Sequence, residues 1–173
     1  MIFLISGATH TGKTLLAQTL LETHHIPYLS LDNLKMGLIR SKKTDLTVTE
    51  DEKLTAYLWP IAREIIKTSL ENGQSLIIEG CYIPFDWQAG FEPWQLEKIR
   101  AGWLVMTETY IRSHFDELCL HASDIQNRSF DTEPDMEELI RENNRIREKC
   151  EEHGCHILLI DGEYQVDMDY FSF

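Results

Sequence analysis

A short loop bounded by two glycines carries the residues of this chain that point most directly to chemistry. Segment 7–14 reads GATHTGKT and fits the pattern G-x-x-x-x-G-K-[ST] at every required position. In such a loop, backbone N–H groups surround the β- and γ-phosphates of a nucleotide, the lysine reaches the same phosphates, and the last hydroxyl ligates Mg²⁺. The pattern predicts a nucleotide-binding loop in which Thr14 is the magnesium ligand. The loop consists of Gly7, Ala8, Thr9, His10, Thr11, Gly12, Lys13 and Thr14.

A loop of this kind works only between a buried strand and a helix, because the helix N-terminus adds its positive end to the phosphate site. The chain supplies both neighbours: an apolar run over 1–6 predicts a strand, and the run over 14–22 predicts a helix. A bare match to the pattern recurs by chance in other strand–turn–helix segments. The surrounding elements are therefore what favours nucleotide binding here.

Strands and helices alternate along the rest of the chain. We predict strands over 1–6, 27–32, 75–80, 101–108 and 156–161. We predict helices over 14–22, 33–40, 50–70, 88–98 and 110–120, and a last one that is capped by Thr132, has Pro134 in its first turn and stops at Gly154. This alternation is typical of an α/β protein with right-handed crossovers and a parallel sheet of five strands covered by helices on both faces.

Three stretches in order, GATHTGKT, YLSLDNLKMGLIR and LIIEGCYIP, resemble the P-loop small-molecule kinases. That group includes adenylate-kinase-like proteins, chloramphenicol phosphotransferase-like enzymes and zeta-toxin kinases. The resemblance covers the first half of the chain, and the second half is similar in architecture alone. It implies a three-layer fold like that of nucleoside-monophosphate kinases, in one kinase domain over 1–173. A substrate-binding helical region is expected at about 32–72 and a lid at about 119–135.

An acid follows the second predicted strand. In the kinases that the chain resembles, an acid just after this strand faces the phosphoryl acceptor, and Asp32 matches that position. A carboxylate there could accept the proton of an acceptor hydroxyl or orient it for in-line attack. The same position also suits the N-cap of the helix over 33–40, which is the structural alternative.

Two further positions match the resemblance. Glu79 ends a strand of apolar residues, where the family pattern has an acid that holds substrate or the water shell of the metal; a strand-end residue facing solvent is the alternative. No conventional Walker B aspartate is present, so Thr14 and water are expected to carry most of the Mg²⁺ ligation. Arg40 stands where nucleoside-monophosphate kinases contact the phosphate of their acceptor, although segment 40–43 (RSKK) also reads as a solvated basic turn.

Phosphoryl transfer needs cations over the γ-phosphate, usually arginines from a mobile lid. Arg128 lies in the polar connection and is the first candidate. The other candidates are Arg112, Arg141 and Arg145. The last two lie four residues apart on one helix face, so pairing with neighbouring acids is their alternative. Those acids are Glu137, Glu138 and Glu142.

The charge balance limits the classes of partner. The chain has 29 acidic residues against 16 lysines and arginines, for a net charge of −13, which argues against nucleic acid held by phosphate contacts. No apolar run approaches the ~20 residues of a membrane helix, and the first residues lack the basic leader of an export signal. Four irregularly spaced cysteines are expected to be free thiols. We therefore expect a cytoplasmic monomer or homodimer without a membrane partner.

These residues predict an ATP-dependent kinase that transfers the γ-phosphoryl of ATP, with Mg²⁺, to a small-molecule acceptor through a hydroxyl or a phosphate. ATP follows from the resemblance, since no N-K-x-D-like guanine motif is present. Lys13, Asp32 and Arg128 are the expected catalytic residues, and Asp32, Arg40 and Glu79 are expected to bind the acceptor. The alternative is a nucleotide-binding regulatory or interaction protein with little or no acceptor-dependent activity. Dependence of ADP formation on an added acceptor distinguishes the two.

Overall fold

The computed structural model describes residues 1–121 and 135–171, and the strands in this part of the chain form one sheet. The strands are β1 (Ile2–Gly7), β2 (Tyr28–Ser30), β3 (Leu76–Glu79), β4 (Ile99–Met106) and β5 (His156–Ile160). Their order in the sheet is β2-β3-β1-β4-β5, and every pair is parallel. The predicted α/β fold with a five-stranded parallel sheet is confirmed.

Helices cover both faces of the sheet. They are α1 (Lys13–His24), α2 (Leu31–Arg40), α3 (Asp51–Glu71), α4 (Pro93–Leu96), α5 (Glu108–His121) and α6 (Met136–His153), followed by a 3-10 turn at Met168–Phe171. Side chains of β1 alternate between two apolar cores: Ile2 and Leu4 join the core under α2 and α3, whereas Phe3 and Ile5 join the core under α1 and α5. This double burial explains why the first strand is apolar at successive positions.

The register brings the predicted site residues to one edge of the sheet. Ile5 of β1 pairs with Glu79 of β3, and Glu79 pairs in turn with Ser30 of β2. The carboxyl ends of these three parallel strands therefore lie side by side, and the segments that follow them meet at that edge. Segment 7–14 follows β1, and Asp32 lies two residues after β2.

Several element boundaries differ from the sequence prediction by a few residues, and three of these change the element assigned to a named residue. The second strand ends at Ser30, which is the extended N-cap of α2, so Asp32 lies in the first helical turn and the N-cap alternative for it is wrong. Glu108 belongs to α5, because β4 ends at Met106. The last helix begins at Met136 with Asp135 as its N-cap, whose side chain accepts from the Glu138 amide, so the predicted cap at residue 132 is wrong.

The helix predicted over 88–98 is a single turn in the structure. Gly90 has a φ of 87°, outside the helical range, and Pro93 sits at the start of α4. Glu92 and Gln95 form a reciprocal capping box around this turn. Trp87 and Phe91 are buried from irregular backbone before this turn.

The described part of the chain contains no helix that is long and apolar enough to cross a bilayer. None of the four cysteines is in a disulfide in the part of the chain that the structure describes. The sequence analysis predicts no secondary structure for segment 162–171. In the structure this segment folds back on the sheet, and Phe171 is fully buried. The Phe171 ring packs edge-to-face on that of Phe3, with 5.6 Å between the ring centroids.

Candidate functional site

The glycine-bracketed loop wraps around the lysine at its end. Lys13 is only 5% exposed, and its Nζ donates to the carbonyl oxygen of Ala8 at 2.6 Å. The Thr11 hydroxyl donates to the same oxygen at 2.8 Å. Gly7 has a φ of 136°, and a Cβ there would lie 2.2 Å from the carbonyl oxygen of Leu104, so the loop requires glycine at this position. The buried ammonium and the helix N-terminus behind it make this loop suited to phosphate.

His10 also takes a backbone conformation that favours glycine. Its φ is 61°, in the left-handed region that non-glycine residues seldom adopt. The left-handed turn therefore forms without glycine at this position, and the imidazole stands in the middle of the loop.

A hydroxyl and a carboxylate meet at the point where magnesium is predicted. Thr14 Oγ1 donates to Oε2 of Glu79 at 3.4 Å, and Glu79 is 1% exposed. Burial raises the pKa of Glu79, while hydrogen bonding from Ser30 and Thr14 and the charge of Lys13 act in the opposite direction. Its Oε1 has no hydrogen-bond partner among the described residues. A buried, unpaired carboxylate oxygen beside a hydroxyl is a donor set that fits Mg²⁺ or its water ligands.

Asp32 belongs to a network on the other side of the site. Its Oδ1 accepts from Lys35 Nζ at 2.6 Å, and Lys35 Nζ lies 2.8 Å from the Tyr82 hydroxyl. Tyr82 donates in turn to Oδ1 of Asp51 at 3.2 Å. Burial acts to lower the pKa of Lys35, but the hydrogen bonds and charges of Asp32 and Tyr82 outweigh it and raise that pKa above its ordinary value. Asp32 is thus held in place by a permanently charged partner.

Cys81 follows β3 and Gly80 at the same edge of the sheet, and the residue is exposed. Loss of hydration raises the pKa of its thiol, the charge of Lys13 lowers this pKa, and the charges of Asp32 and Glu142 raise it further. This edge of the sheet brings together Lys13, Thr14, Asp32 and Glu79, as the sequence predicted.

The predicted arginines stand in different places. Arg128, and most of the predicted lid, lie outside the described residues. Arg112 forms ion pairs with Glu108 and Glu137 at 2.8 Å each, so it is engaged in linking α5 to α6. Arg141 and Arg145 are exposed and form no ion pair with another residue in the described ranges. Their expected pairing with acids of their own helix is therefore not seen there.

Arg40 is exposed at the end of α2. It lies eight residues after Asp32 on the same helix, so the two backbone positions are about 12 Å apart along the axis.

The sequence analysis did not assign three residues to the site, namely Lys35, Glu142 and Tyr164. Lys35 could have been found, because it stands three residues after Asp32 on a helix, where side chains meet. Glu142 accepts from the Thr9 amide at 3.1 Å, and the Tyr164 hydroxyl donates to the Thr11 carbonyl at 3.2 Å. These contacts join residues 133 and 153 positions apart, so no local pattern could have indicated them.

Solved structures with the same fold cover nearly the whole chain. An inferred kinase from Chloroflexus aurantiacus J-10-fl matches with a TM-score of 0.57 and 19% identity, over 98% of this chain and 93% of its own. Deoxyadenosine kinase from M. mycoides, with bound dATP, matches with a TM-score of 0.55 and 12% identity, over 98% and 93%. Shikimate kinase from Bacteroides thetaiotaomicron matches with a TM-score of 0.51 and 14% identity, over 99% and 94%.

No protein-family model matches the sequence. No curated protein matches it either. At these low identities the structural likeness concerns the fold. The chain has the fold of the P-loop small-molecule kinases, which confirms the resemblance that the three motif stretches indicated.

Proposed function

We propose that this protein is an ATP-dependent kinase that transfers the γ-phosphoryl group of Mg·ATP to a hydroxyl group of a small molecule. The fold is shared with kinases of small molecules, and the loop over 7–14 has the residues that such enzymes use to bind nucleotide phosphates. The observation that carries the proposal is the position of Glu79. Its Oε2 accepts from the Thr14 hydroxyl at 3.4 Å, and it pairs in the sheet with Ser30, the N-cap of the helix that holds Asp32. The phosphate-binding loop and the proposed proton acceptor therefore lie at one edge of the sheet.

The transfer follows from these positions. Asp32 accepts the proton of the acceptor hydroxyl as its oxygen attacks the γ-phosphorus in line, and the bond from that phosphorus to the bridging oxygen breaks to release ADP. Lys13 binds the oxygens on which negative charge develops. Thr14 and Glu79 would hold Mg²⁺ or its waters, and the bound ion neutralises charge on the β- and γ-phosphates.

The surroundings of Asp32 favour a hydroxyl over a phosphate as the accepting group. A hydroxyl must lose a proton on transfer, and Asp32 can take it, whereas an ionised phosphate needs no base. Lys35, the cation in contact with Asp32, is already paired with it. Arg40, the residue predicted to bind an acceptor phosphate, has its backbone about 12 Å from that of Asp32 along the helix axis. The proton-accepting role of Asp32 is therefore what favours a hydroxyl acceptor.

ADP release from Mg·ATP, measured across a panel of acceptors, tests the proposal. The panel combines sugars, sugar acids, alicyclic hydroxy acids and nucleosides with nucleoside monophosphates as the phosphate-bearing arm. We expect turnover to depend on one hydroxyl class. Asp32→Asn should keep the affinity for ATP and lower turnover by about 10²-fold or more. Lys13→Met should lower turnover by about 10³-fold.

Asp116→Asn is the matched control, because it removes the same charge from an exposed position on α5. Its turnover should equal that of the unmodified protein. ADP release that no acceptor in the panel increases, together with tight ATP binding, would favour the nucleotide-binding regulatory alternative. Turnover that Asp32→Asn leaves unchanged would remove Asp32 from its proposed role.

A further inference from the structure

A carboxylate from the last helix is bound to the phosphate-binding loop. Both oxygens of Glu142 accept from the backbone amide of Thr9, at 3.1 and 3.2 Å, and Oε1 also accepts from the Thr9 hydroxyl at 3.3 Å. Thr9 is the third residue of the loop. Amides of such a loop attract anions, and here one of them already has an anionic partner supplied by the protein.

The helix holds this carboxylate firmly. The neighbouring Asn143 is buried, its Oδ1 accepts from the Met106 amide at 2.8 Å, and its Nδ2 donates to the Leu139 carbonyl at 2.8 Å. Ile146, one turn further on, is part of the apolar core. Because α6 is held against β4 and the core at these points, the backbone of Glu142 is kept beside the loop.

The Glu142 carboxylate lies at the loop itself. Its oxygens are 3.1 and 3.2 Å from the amide nitrogen of Thr9, one of the backbone N–H groups of the loop that is proposed to bind nucleotide phosphates. A fixed negative charge there opposes a ligand in proportion to the negative charge that the ligand brings. ATP brings one phosphate more than ADP.

We propose that Glu142 is a positioning and specificity-determining residue, which anchors the loop through Thr9 and lowers the affinity for ATP relative to ADP. The inference rests on the proposed function, because it assumes that the loop binds nucleotide phosphates. The two roles are separable. The hydrogen bonds need only an acceptor oxygen at Thr9, whereas the discrimination needs the charge.

Two substitutions of Glu142 separate its anchoring of the loop from its effect on the relative affinities for ATP and ADP. Glu142→Gln keeps an acceptor oxygen of nearly the same shape and removes the charge, so the ratio of ATP affinity to ADP affinity should rise by about threefold or more at low salt. The increase should shrink at high salt, where charges are screened. Glu142→Ala removes the acceptor oxygens as well as the charge, so binding of ATP and of ADP should each weaken through loss of the anchor. A purely structural contact would change both affinities equally.

Isothermal titration calorimetry with Mg·ATP and Mg·ADP measures the ratio on the full chain, after thermal unfolding has shown that each variant is folded. Glu148→Gln is the control, because it removes the same charge from an exposed position of α6, about 9 Å further along the axis. A raised ratio in Glu142→Gln alone supports the inference, and an unchanged ratio overturns it. Absence of binding of either nucleotide by the unmodified protein would instead reject the proposed function, and this inference with it.

Discussion

The ammonium nitrogen of Lys35 lies 2.6 Å from Oδ1 of Asp32, one turn apart on the helix that follows the second strand. The Lys35 side chain is 13% exposed and that of Asp32 30%, so the pair is partly shielded from water. A shielded carboxylate with a charged hydrogen-bond partner is held in one orientation. This pair fixes the proposed proton acceptor and connects it to Tyr82 and Asp51.

Removal of the lysine should therefore affect catalysis more than nucleotide binding. In Lys35→Met, Asp32 loses the partner that orients its carboxylate, so turnover should fall by roughly 10- to 100-fold. ATP affinity should stay within about twofold, because the loop over 7–14 is untouched. Steady-state kinetics, with ATP titrations beside them, measures both quantities.

Lys67→Met provides the comparison, because Lys67 also forms an ion pair three residues away, with Glu64, at 3.1 Å on α3. This variant should keep the turnover of the unmodified protein. If Lys35→Met also kept it, the ion pair would be structural and Asp32 would owe its orientation to other contacts.

Glu79 should make stability depend on pH in a defined direction. Burial raises its pKa above the ordinary value of 4.5, so the folded protein holds a proton that the unfolded chain has already lost. The resulting stabilisation is complete below pH 4.5 and is lost as the pH rises through the folded pKa. At pH 7, Glu79→Gln should therefore raise the melting temperature by roughly 3 °C, about 1 kcal/mol, and flatten its pH dependence. Thermal unfolding at several pH values measures this.

The same variant should lose activity, since an amide is a poor ligand for Mg²⁺ or its waters. Turnover should fall by about tenfold or more while the protein becomes more stable, which separates function from folding. Glu97→Gln, at an exposed position, should change neither property. A Glu79→Gln protein that is less stable at pH 7 would show that the carboxylate is paired better than its buried, unpartnered Oε1 indicates.

The hydroxyl of Tyr164 should support nucleotide binding. It donates to the Thr11 carbonyl at 3.2 Å, and burial raises its pKa to about 12, so it stays protonated and able to donate. Tyr164→Phe should weaken ATP binding about three- to tenfold, the effect of roughly one lost hydrogen bond. Tyr170→Phe is matched to it, because the Tyr170 hydroxyl donates to the Ala101 carbonyl at 2.9 Å, away from the loop. That variant should lose stability and keep its affinity for ATP; calorimetry that finds equal affinity losses would contradict this view.

Local patterns were enough for most of the fold. The loop over 7–14, the strand before it and the glycine stop at residue 154 each depend on neighbouring residues, and the structure has all of them. The helix predicted over 88–98 is wrong except for one turn, and the reason is physical. Gly90 has a φ of 87°, outside the helical range, and the helical turn begins only at Pro93.

Only the site residues that lie next to predicted strand ends could be predicted from the sequence. Lys13, Thr14, Asp32 and Glu79 stand next to strand ends, and the sheet order brings those ends together. Contacts from the C-terminal part of the chain depend on how α6 and the tail pack, which no short segment encodes. The roles of Arg40 and Arg128 remain predictions from the resemblance to P-loop small-molecule kinases.

Phe171 anchors the C-terminal segment 162–171, which includes Tyr164, to the sheet. Its ring is fully buried, and its centroid lies 5.6 Å from that of Phe3 and 5.2 Å from that of Tyr170. Phe171→Ala should cost about 3–5 kcal/mol, since it leaves a cavity against β1, and should lower the melting temperature by roughly 10 °C. Trp94→Ala, which removes a ring that is 43% exposed, should cost less than about 1 kcal/mol. Urea unfolding of both variants measures the difference. Equal, small losses would mean that the tail rests on the sheet without contributing to its stability, and Tyr164 would then need another anchor to stay against the loop.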